Sequence, residues 1–208
     1  MSALGRCVAI VDYKAGNLTS VQLAVEKLGW QALVVSEPEG VLAARRVIFP
    51  GVGAAGSAMR TLRTTGLADA LTAYAASGRP LAGICLGAQV IFERSAEDDT
   101  PCLGILPGTV ERLRVRPESK VPHMGWNAVE FVAAHPAWKG VDAGAQFYFV
   151  HSFAPAPTEA DTVIGMTDYD GPFVSAVARD NVVAFQFHPE RSGRFGLMVL
   201  ENFLKWEP

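Results

Sequence analysis

The sequence predicts an α/β protein with a mostly parallel, doubly wound central sheet, flanking helices and a smaller antiparallel side sheet. In the first half, short apolar or β-branched runs alternate with segments of helical spacing, which is the pattern of β-α-β units. From Cys102 onward, short strands, prolines and turns replace this rhythm and indicate mainly antiparallel pairing. The 208 residues are 50% hydrophobic, which is enough to bury a sizeable core, so we expect one domain over residues 1–208.

Composition narrows the possible partners and compartments. A formal net charge of −3 with scattered Lys and Arg argues against nucleic acid or an anionic membrane as a partner, and favours small-molecule chemistry. No apolar run approaches the roughly 18 residues that a membrane span needs, and residues 1–11 lack a signal-peptide layout, so we expect a cytoplasmic protein. The three cysteines form no Cys-x-x-Cys pair, so neither a disulfide framework nor a metal site is predicted.

The first strands and helix are predicted from local patterns. A β-branched run at residues 7–11, a turn-rich loop at 12–17 and four apolar residues at helical spacing indicate strand, loop and helix, with Gly29 ending the helix. Further strands are predicted at residues 31–36 and 46–49. Because parallel sheets bind ligands outside the carboxyl ends of their strands, the loops that follow these strands should gather at one edge.

A glycine-rich loop at residues 50–56 follows the third predicted strand. It lacks the spacing of a P-loop or a dinucleotide fingerprint, so phosphate binding is not indicated. The glycines on either side of Val52 permit an unusual peptide orientation that could aim a backbone N–H at a reacting carbonyl oxygen, although an ordinary loop is the alternative. Residues 58–76 then predict a helix that is bent or broken near Gly66.

The next strand ends in a Gly-x-Cys-x-Gly pattern at residues 83–87, and a helix is predicted from residue 86 to 93. Small residues on both sides of Cys85 allow the sharp turn that lifts a nucleophile out of a sheet and points it at a helix N-terminus. That position favours a thiolate and supplies N–H groups for an oxyanion. The alternative is a small buried cysteine whose neighbouring glycines serve packing alone.

The second half predicts shorter elements. Strands are expected at residues 108–114, 127–132, 146–152, 162–167, 175–178 and 182–187, and a helix at residues 194–205. Residues 179–181 form a plausible hairpin turn between the last two strands.

A histidine and a carboxylate follow the last strand as His188-Pro189-Glu190. Proline fixes its own φ and restricts the residue before it, so the backbone that carries His188 and Glu190 is stiff. A catalytic cysteine needs a base that later acts as an acid, and the imidazole needs a carboxylate to orient it. Cys85, His188 and Glu190 could fill these three roles. Taken singly, His188 could be a capped strand-end histidine and Glu190 a solvated acid.

These motifs together resemble a known family. GICLGAQ at residues 83–89 and FHPE at 187–190 are similar to the glutaminase domain of class I (triad) glutamine amidotransferases, over nearly the whole chain. Four further stretches resemble the branch whose glutaminase forms a heterodimer with a (β/α)₈-barrel cyclase subunit. They are DYKAGNL at 12–18, PGVG at 50–53, VPHMGWN at 121–127 and YFVHSF at 148–153, and VPHMGWN is the most specific.

The resemblance implies roles for individual residues, with glutamine as the substrate and no cofactor. Cys85 is implied as the nucleophile, with His188 and Glu190 completing the triad and the N–H groups of Val52 and Leu86 forming the oxyanion hole. The implied substrate-binding residues are Gly53, Gln89 and Glu97, with Gln89 and Glu97 on the elbow helix, and His151 and Ser152. The implied partner interface contains Asn17, Met124, Trp126 and Tyr148. Each set has a structural alternative. Gln89 and Glu97 could be exposed polar residues of a helix, and His151 and Ser152 could cap a strand end. Met124, Trp126 and Tyr148 could be core residues.

Three other functions stay open at this point. Another triad glutaminase, such as the one that feeds pyridoxal phosphate synthesis, is disfavoured by VPHMGWN. A catalytically idle binding module of the same fold is disfavoured by the intact set of Cys85, His188 and Glu190. A stand-alone thiol hydrolase would reach its full rate without a partner, whereas we expect low basal activity that partner and nucleotide ligand raise.

Overall fold

The computed structural model describes residues 6–14 and 18–208, and it confirms the predicted α/β class. Asn17, which was predicted at the partner interface, lies outside the described residues. The strands are β1 (Cys7–Val11), β2 (Gln31–Val35), β3 (Val47–Gly51), β4 (Leu81–Cys85), β5 (Arg94–Ser95), β6 (Thr100–Pro101), β7 (Gly108–Arg112), β8 (His123–Ala128), β9 (Glu130–Phe131), β10 (Gln146–His151), β11 (Phe153–Pro157), β12 (Val163–Asp168), β13 (Pro172–Arg179) and β14 (Val182–Phe185).

One eight-stranded sheet forms the centre, in the order β2-β1-β3-β4-β14-β13-β12-β9. The five strands from β2 to β14 are parallel, and β13, β12 and β9 extend the sheet in antiparallel pairing. β4 lies between β3 and β14, so the chain segments that follow these three strands leave the same sheet edge side by side. This order brings together sequence stretches that are about a hundred residues apart.

Helices cover both faces of the central sheet. They are α1 (Leu18–Lys27), α2 (Pro38–Ala43), α3 (Ala55–Thr64), α4 (Leu67–Ala76), α5 (Leu86–Val90) and α6 (Gly193–Lys205). Alternate residues of β1 enter two separate apolar clusters, as the period of two in a strand requires. The apolar residues of α1 and α6 belong to one cluster, and those of α2, α3 and α4 to the other. None of the helices in the described part of the chain is long and apolar enough to cross a membrane.

Two smaller sheets complete the fold. A four-stranded sheet has the order β11-β7-β5-β6, with β5 and β7 parallel and the other pairs antiparallel. β8 and β10 form a separate two-stranded antiparallel ribbon, in which Tyr148 pairs with Trp126 and Val150 with Met124. We call this pair of strands the ribbon.

Several predicted elements differ in their bounds from the observed ones, three of them as follows. The helix predicted for residues 58–76 is two helices separated by Gly66, whose φ of +76° breaks the helical geometry at the expected place. The elbow helix ends at Val90 instead of residue 93. The strand predicted at residues 127–132 is wrong in its bounds. Pairing with β10 makes β8 begin at His123, four residues earlier. The chain then continues as β9 at the edge of the central sheet.

Gly87 is the point at which the elbow helix touches the strand beside it. A Cβ atom built on Gly87 would lie 1.8 Å from the backbone oxygen of Phe49, which is far inside van der Waals contact. We therefore expect Gly87→Ala to lower the free energy of unfolding by about 1–3 kcal/mol or more, as overpacking does in a well-packed core. Denaturant unfolding measures this change. Gly56→Ala in α3 is the control, since its Cβ would meet side-chain atoms alone, the Thr100 hydroxyl at 3.3 Å and Arg60 Nη1 at 4.0 Å, and an equal loss in both variants would contradict the expectation.

Candidate active site

Cys85 lies at the carboxyl end of β4, directly before α5. Its backbone has φ 54° and ψ −109°, a left-handed conformation that a residue with a side chain rarely adopts. The glycines on both sides make this turn possible, since a Cβ on Gly83 would lie 3.0 Å from the backbone oxygen of Gly87. The strained turn places the thiol at the strand-to-helix junction, which is the geometry of a nucleophile elbow.

His188 and Glu190 follow β14, the strand next to β4. Glu190 lies in the 3₁₀ turn Pro189–Arg191, and its Oε1 atom is 2.8 Å from His188 Nδ1. The backbone of His188 is held at both ends, because its N–H donates to the Tyr148 carbonyl at 2.9 Å and its carbonyl accepts from the Ser192 hydroxyl at 2.5 Å. The ring is therefore fixed, with Nδ1 on the carboxylate.

The charges around His188 favour its protonated form. The His188 and Glu190 side chains are 4% and 1% exposed, so neither is screened by solvent. Burial alone lowers the pKa of His188, but its interactions with Cys85 and Glu190 outweigh burial and raise that pKa to about 10. Cys85 ends β4 and His188 follows β14, its parallel neighbour, so both groups lie at the same sheet edge, and the buried Nε2 atom of His188 has no hydrogen-bond partner among the described residues. The three groups can therefore hold an imidazolium between a sulfur and a carboxylate.

A cavity of about 230 Å³ opens at Cys85. It is lined by Val52, Gly53, Cys85, Leu86, Gln89, Glu97, Pro122, Val150, His151, Ser152 and Phe153. The structure thus brings all five predicted substrate-binding residues and both predicted oxyanion residues to one cavity. Pro122, Val150 and Phe153 were not singled out from sequence, although each lies inside or beside a motif that was.

The two predicted oxyanion residues, Val52 and Leu86, are neighbours because of strand register. Gly51 at the end of β3 pairs with Cys85 at the end of β4, so Val52 and Leu86 follow these two paired positions. The Val52 side chain is exposed, and Gly53 has φ +94°, which glycine adopts without strain. Behind this loop the hydroxyl of Tyr13 packs on Gly51, and a Cβ built on Gly51 would lie 1.9 Å from that hydroxyl.

Glu97 reaches the cavity from a different element than expected. It begins a 3₁₀ turn, Glu97–Asp99, and does not lie on the elbow helix, because α5 ends at Val90. Its Oε2 atom accepts a hydrogen bond of 2.7 Å from the N–H of Ala55, the first residue of α3. The carboxylate is thereby held at a helix start, where the exposed N–H groups and the helix dipole favour negative charge.

Gln89 is a buried polar residue with a specific hydrogen-bond pattern. Its Nε2 atom donates to the Phe153 carbonyl at 2.9 Å and to Oε1 of Gln186 at 2.9 Å. Gln186 Nε2 in turn lies 3.9 Å from the Cys85 sulfur. Gln186 was not predicted as a site residue, although a lone amide within the apolar run that precedes His188 was the available signal.

His151 is held by other protein groups through both ring nitrogens. Its Nδ1 lies 2.8 Å from the Phe153 carbonyl, so Nδ1 carries the proton, and its Nε2 lies 3.0 Å from Nδ1 of His123. Burial lowers the pKa of His151 to about 3 and also lowers that of His123, so both rings are neutral at pH 7. The His151 ring therefore has no free N–H for a substrate, and any contact comes from its backbone or ring carbons. His123, within VPHMGWN, was also missed as a site residue.

Met124, Trp126 and Tyr148, the predicted interface residues that the structure describes, lie on one face of the ribbon. Met124 and Trp126 are 63% and 54% exposed, and alternate positions along β8 place them on the same side. Trp126 packs edge-on against Tyr148, its cross-strand partner, with ring centroids 6.2 Å apart. The guanidinium of Arg191 lies over the Tyr148 ring, 4.9 Å from its centroid. The ribbon therefore presents an exposed aromatic and Met patch close to His188.

The chain is similar to known enzymes over nearly its whole length. The family described as Glutamine amidotransferase class-I matches residues 9–206. Imidazole glycerol phosphate synthase subunit HisH of Thiobacillus denitrificans is 48% identical over 210 residues, covering 97% of this chain and 92% of that protein. The subunit of the same name from Nitrosococcus oceani is 49% identical over 203 residues, covering 96% and 97%.

Solved structures share the fold at lower identity. A structure described as a glutamine amidotransferase has a TM-score of 0.71 at 22% identity, covering 94% of this chain and 98% of that chain. PurLQS from Thermotoga maritima has a TM-score of 0.73 at 19% identity, covering 95% and 97%. At these identities the likeness supports the fold alone.

Proposed function

This chain belongs to the class-I glutamine amidotransferase family, and we propose that it is the glutaminase subunit of an imidazole glycerol phosphate synthase. It hydrolyses glutamine to glutamate and ammonia and passes the ammonia to a partner subunit. What supports this most directly is the placement of Cys85 at the cavity and at the end of β4, with the His188–Glu190 pair directly after the neighbouring strand β14, because together they supply a nucleophile, an acid-base group and its orienting carboxylate.

In the first half-reaction, the Cys85 thiolate attacks the side-chain amide carbon of glutamine. The N–H groups of Val52 and Leu86 stabilise the negative charge that develops on the amide oxygen. The C–N bond then breaks, and His188 gives its proton to the departing ammonia. A γ-glutamyl thioester on Cys85 remains. The raised pKa of His188 supports this step, since the ring holds a proton before the reaction begins.

In the second half-reaction, water breaks the thioester. His188, now neutral, takes a proton from the water as it attacks the thioester carbon, and the same oxyanion groups stabilise the second tetrahedral species. The C–S bond breaks, glutamate leaves, and Cys85 and His188 return to their starting states. Glu190 keeps the ring oriented through both halves.

The amino acid end of glutamine binds at the far wall of the cavity. Glu97 carries a carboxylate into the cavity and can pair with the substrate ammonium group. Both protons of Gln89 Nε2 are already used inside the protein, so the Gln89 group available to the substrate is its Oε1 acceptor. Gly53 and Ser152 line the same cavity and offer backbone groups or a hydroxyl to the remaining polar atoms.

The partner is a (β/α)₈-barrel cyclase that docks on the ribbon face carrying Met124, Trp126 and Tyr148. Ammonia reacts as a nucleophile only while it is unprotonated, so a partner that encloses the site protects it from bulk water. Aromatic residues and Met are enriched at the centres of protein interfaces, which supports this face. The cyclase uses the ammonia to form imidazole glycerol phosphate and aminoimidazole-carboxamide ribonucleotide in histidine biosynthesis.

We further propose that residues 1–208 act as one glutaminase domain in the cytoplasm. The family match extends over residues 9–206, which supports one functional unit. Cys7, Cys85 and Cys102 are all free thiols, and a catalytic thiol must stay reduced, as it does in that compartment.

Glutamate release from glutamine tests the proposed function. The full chain alone should show low activity, and adding the cyclase with its nucleotide ligand should raise kcat/KM by about tenfold or more, within the usual range of allosteric coupling. A full rate without any partner would instead support a stand-alone thiol hydrolase. No hydrolysis even in the assembled enzyme would support an idle module and refute the proposal.

A further inference from the structure

Gln186 is a buried amide that contacts two residues of the proposed site without lining the cavity. Its side chain is fully buried, one residue beyond β14 and two before His188. Oε1 accepts from Gln89 Nε2 at 2.9 Å, and Nε2 lies 3.9 Å from the Cys85 sulfur. A buried amide loses hydration that only its protein partners can replace, so these two contacts decide how Gln186 is oriented.

The orientation of both amides follows from one backbone carbonyl. The Phe153 carbonyl can only accept, so the Gln89 atom that faces it at 2.9 Å is the nitrogen. The second proton of that nitrogen points at Gln186, so the Gln186 atom facing it is the oxygen. The remaining end of Gln186 is its NH₂ group, which therefore faces Cys85. The Phe153 carbonyl is itself fixed by a second donor, Nδ1 of His151, at 2.8 Å.

This arrangement has one effect on each neighbour. With both Nε2 protons engaged, Gln89 can present only its Oε1 acceptor to the cavity, and none of the described residues donates to that atom. With its NH₂ group toward the sulfur, Gln186 supplies an N–H dipole that favours the thiolate over the thiol. The substrate-binding amide and the nucleophile are thus oriented by the same side chain.

We propose that Gln186 is a positioning residue of the glutaminase site, which fixes the acceptor end of Gln89 toward the substrate and directs an N–H at the Cys85 sulfur. This inference rests on the proposed function. It adds to the triad a residue that touches neither substrate nor His188, and that acts on binding through Gln89 and on the chemical step through Cys85.

Two substitutions separate the two effects. Gln186→Met is similar in size but removes both the acceptor and the donor, so KM for glutamine should rise about tenfold because Gln89 Nε2 loses a buried partner. Gln186→Glu keeps an acceptor for Gln89 but replaces the N–H with a carboxyl oxygen, so KM should change little while kcat falls about tenfold. In both variants, alkylation of Cys85 by iodoacetamide should move to higher pH by about one unit.

Ser175→Ala is the matched control. Ser175 is buried next to the same position, since its carbonyl accepts from the Gln186 N–H at 2.9 Å, and its hydroxyl has no partner among the described residues. This variant should keep the wild-type KM and alkylation profile. A merely structural role for Gln186 would lower the fraction of titratable Cys85 thiol or the melting temperature, but it would not move KM or the alkylation profile per titrated thiol.

The experiment decides the question even where one variant does not fold. If Gln186→Met is insoluble, the kcat and alkylation profile of Gln186→Glu still test the N–H directed at the sulfur. Wild-type values of KM and of the alkylation profile in the soluble variants would overturn the proposal. The alkylation measurement needs no turnover, so it stays informative if the wild-type assembly hydrolyses no glutamine, an outcome that refutes the proposed function separately.

Discussion

Cys85→Ala is expected to abolish glutamine-dependent product formation while the assembled enzyme still makes product from added ammonia. Without the sulfur no thioester forms, and removal of a catalytic nucleophile costs at least about 10⁴-fold in rate. Ammonia supplied directly bypasses that step and reaches the partner site. Product formation at saturating glutamine and then at saturating ammonium, above pH 8, measures the two activities in the same assembly.

Cys102→Ala is the control for this substitution. Burial raises the pKa of Cys102 to about 11, so that thiol is neutral at working pH and is no competing nucleophile. We expect both activities to remain in this variant. If Cys85→Ala lost the ammonia-dependent activity while still copurifying with the partner, the separation of the two half-sites would be refuted.

Glu190→Gln is expected to lower kcat/KM for glutamine on the order of 10⁴-fold, comparable to loss of the orienting carboxylate in other triads. The carboxylate helps raise the pKa of His188, so its removal lowers that pKa and the imidazolium loses its proton at lower pH. The alkaline limb of the kcat/KM profile should therefore shift toward lower pH. Steady-state rates between pH 6 and pH 10 measure both effects, and ammonia-dependent synthesis should stay near the wild-type level.

Glu201→Gln provides the matched charge change on the surface. Glu201 pairs with Lys205 one turn away on α6, outside the cavity, so the rate and the pH profile should stay those of the wild type. A folded Glu190→Gln variant with an unshifted alkaline limb would show that Glu190 does not support the charged form of His188.

The elements with local signals were predictable from the sequence. β1 and α6 were placed within a residue or two, because β-branched runs and helical spacing act over short stretches of chain. The elbow was predictable because the glycines flanking Cys85 have one dominant use at the end of a strand. Cys85, His188 and Glu190 could be grouped because each role in thiol catalysis calls for a specific side chain. Their proximity in the structure follows from β14 lying next to β4.

Other parts of the site depend on which strands become neighbours, and no local pattern encodes that. Gln186 reaches Gln89 and Cys85 only because β14 lies between β4 and β13. His123 meets His151 only through the register of the ribbon, and the predicted start of β8 lay four residues too late. The position of Glu97 was wrong for a related reason: the short elbow helix stops early and the chain turns back toward α3.

The ribbon has an exposed side and a side that contacts the proposed site. Trp126 and Met124 project from one side, while the backbone of the paired strand accepts the N–H of His188 and carries His151 at the cavity wall. A protein bound to the exposed side would therefore contact strands that also hold the backbone of His188 and carry His151, with no loop between the contact and the proposed site. On the proposed docking arrangement, surface variants at Met124 are therefore expected to change turnover as well as affinity for the partner.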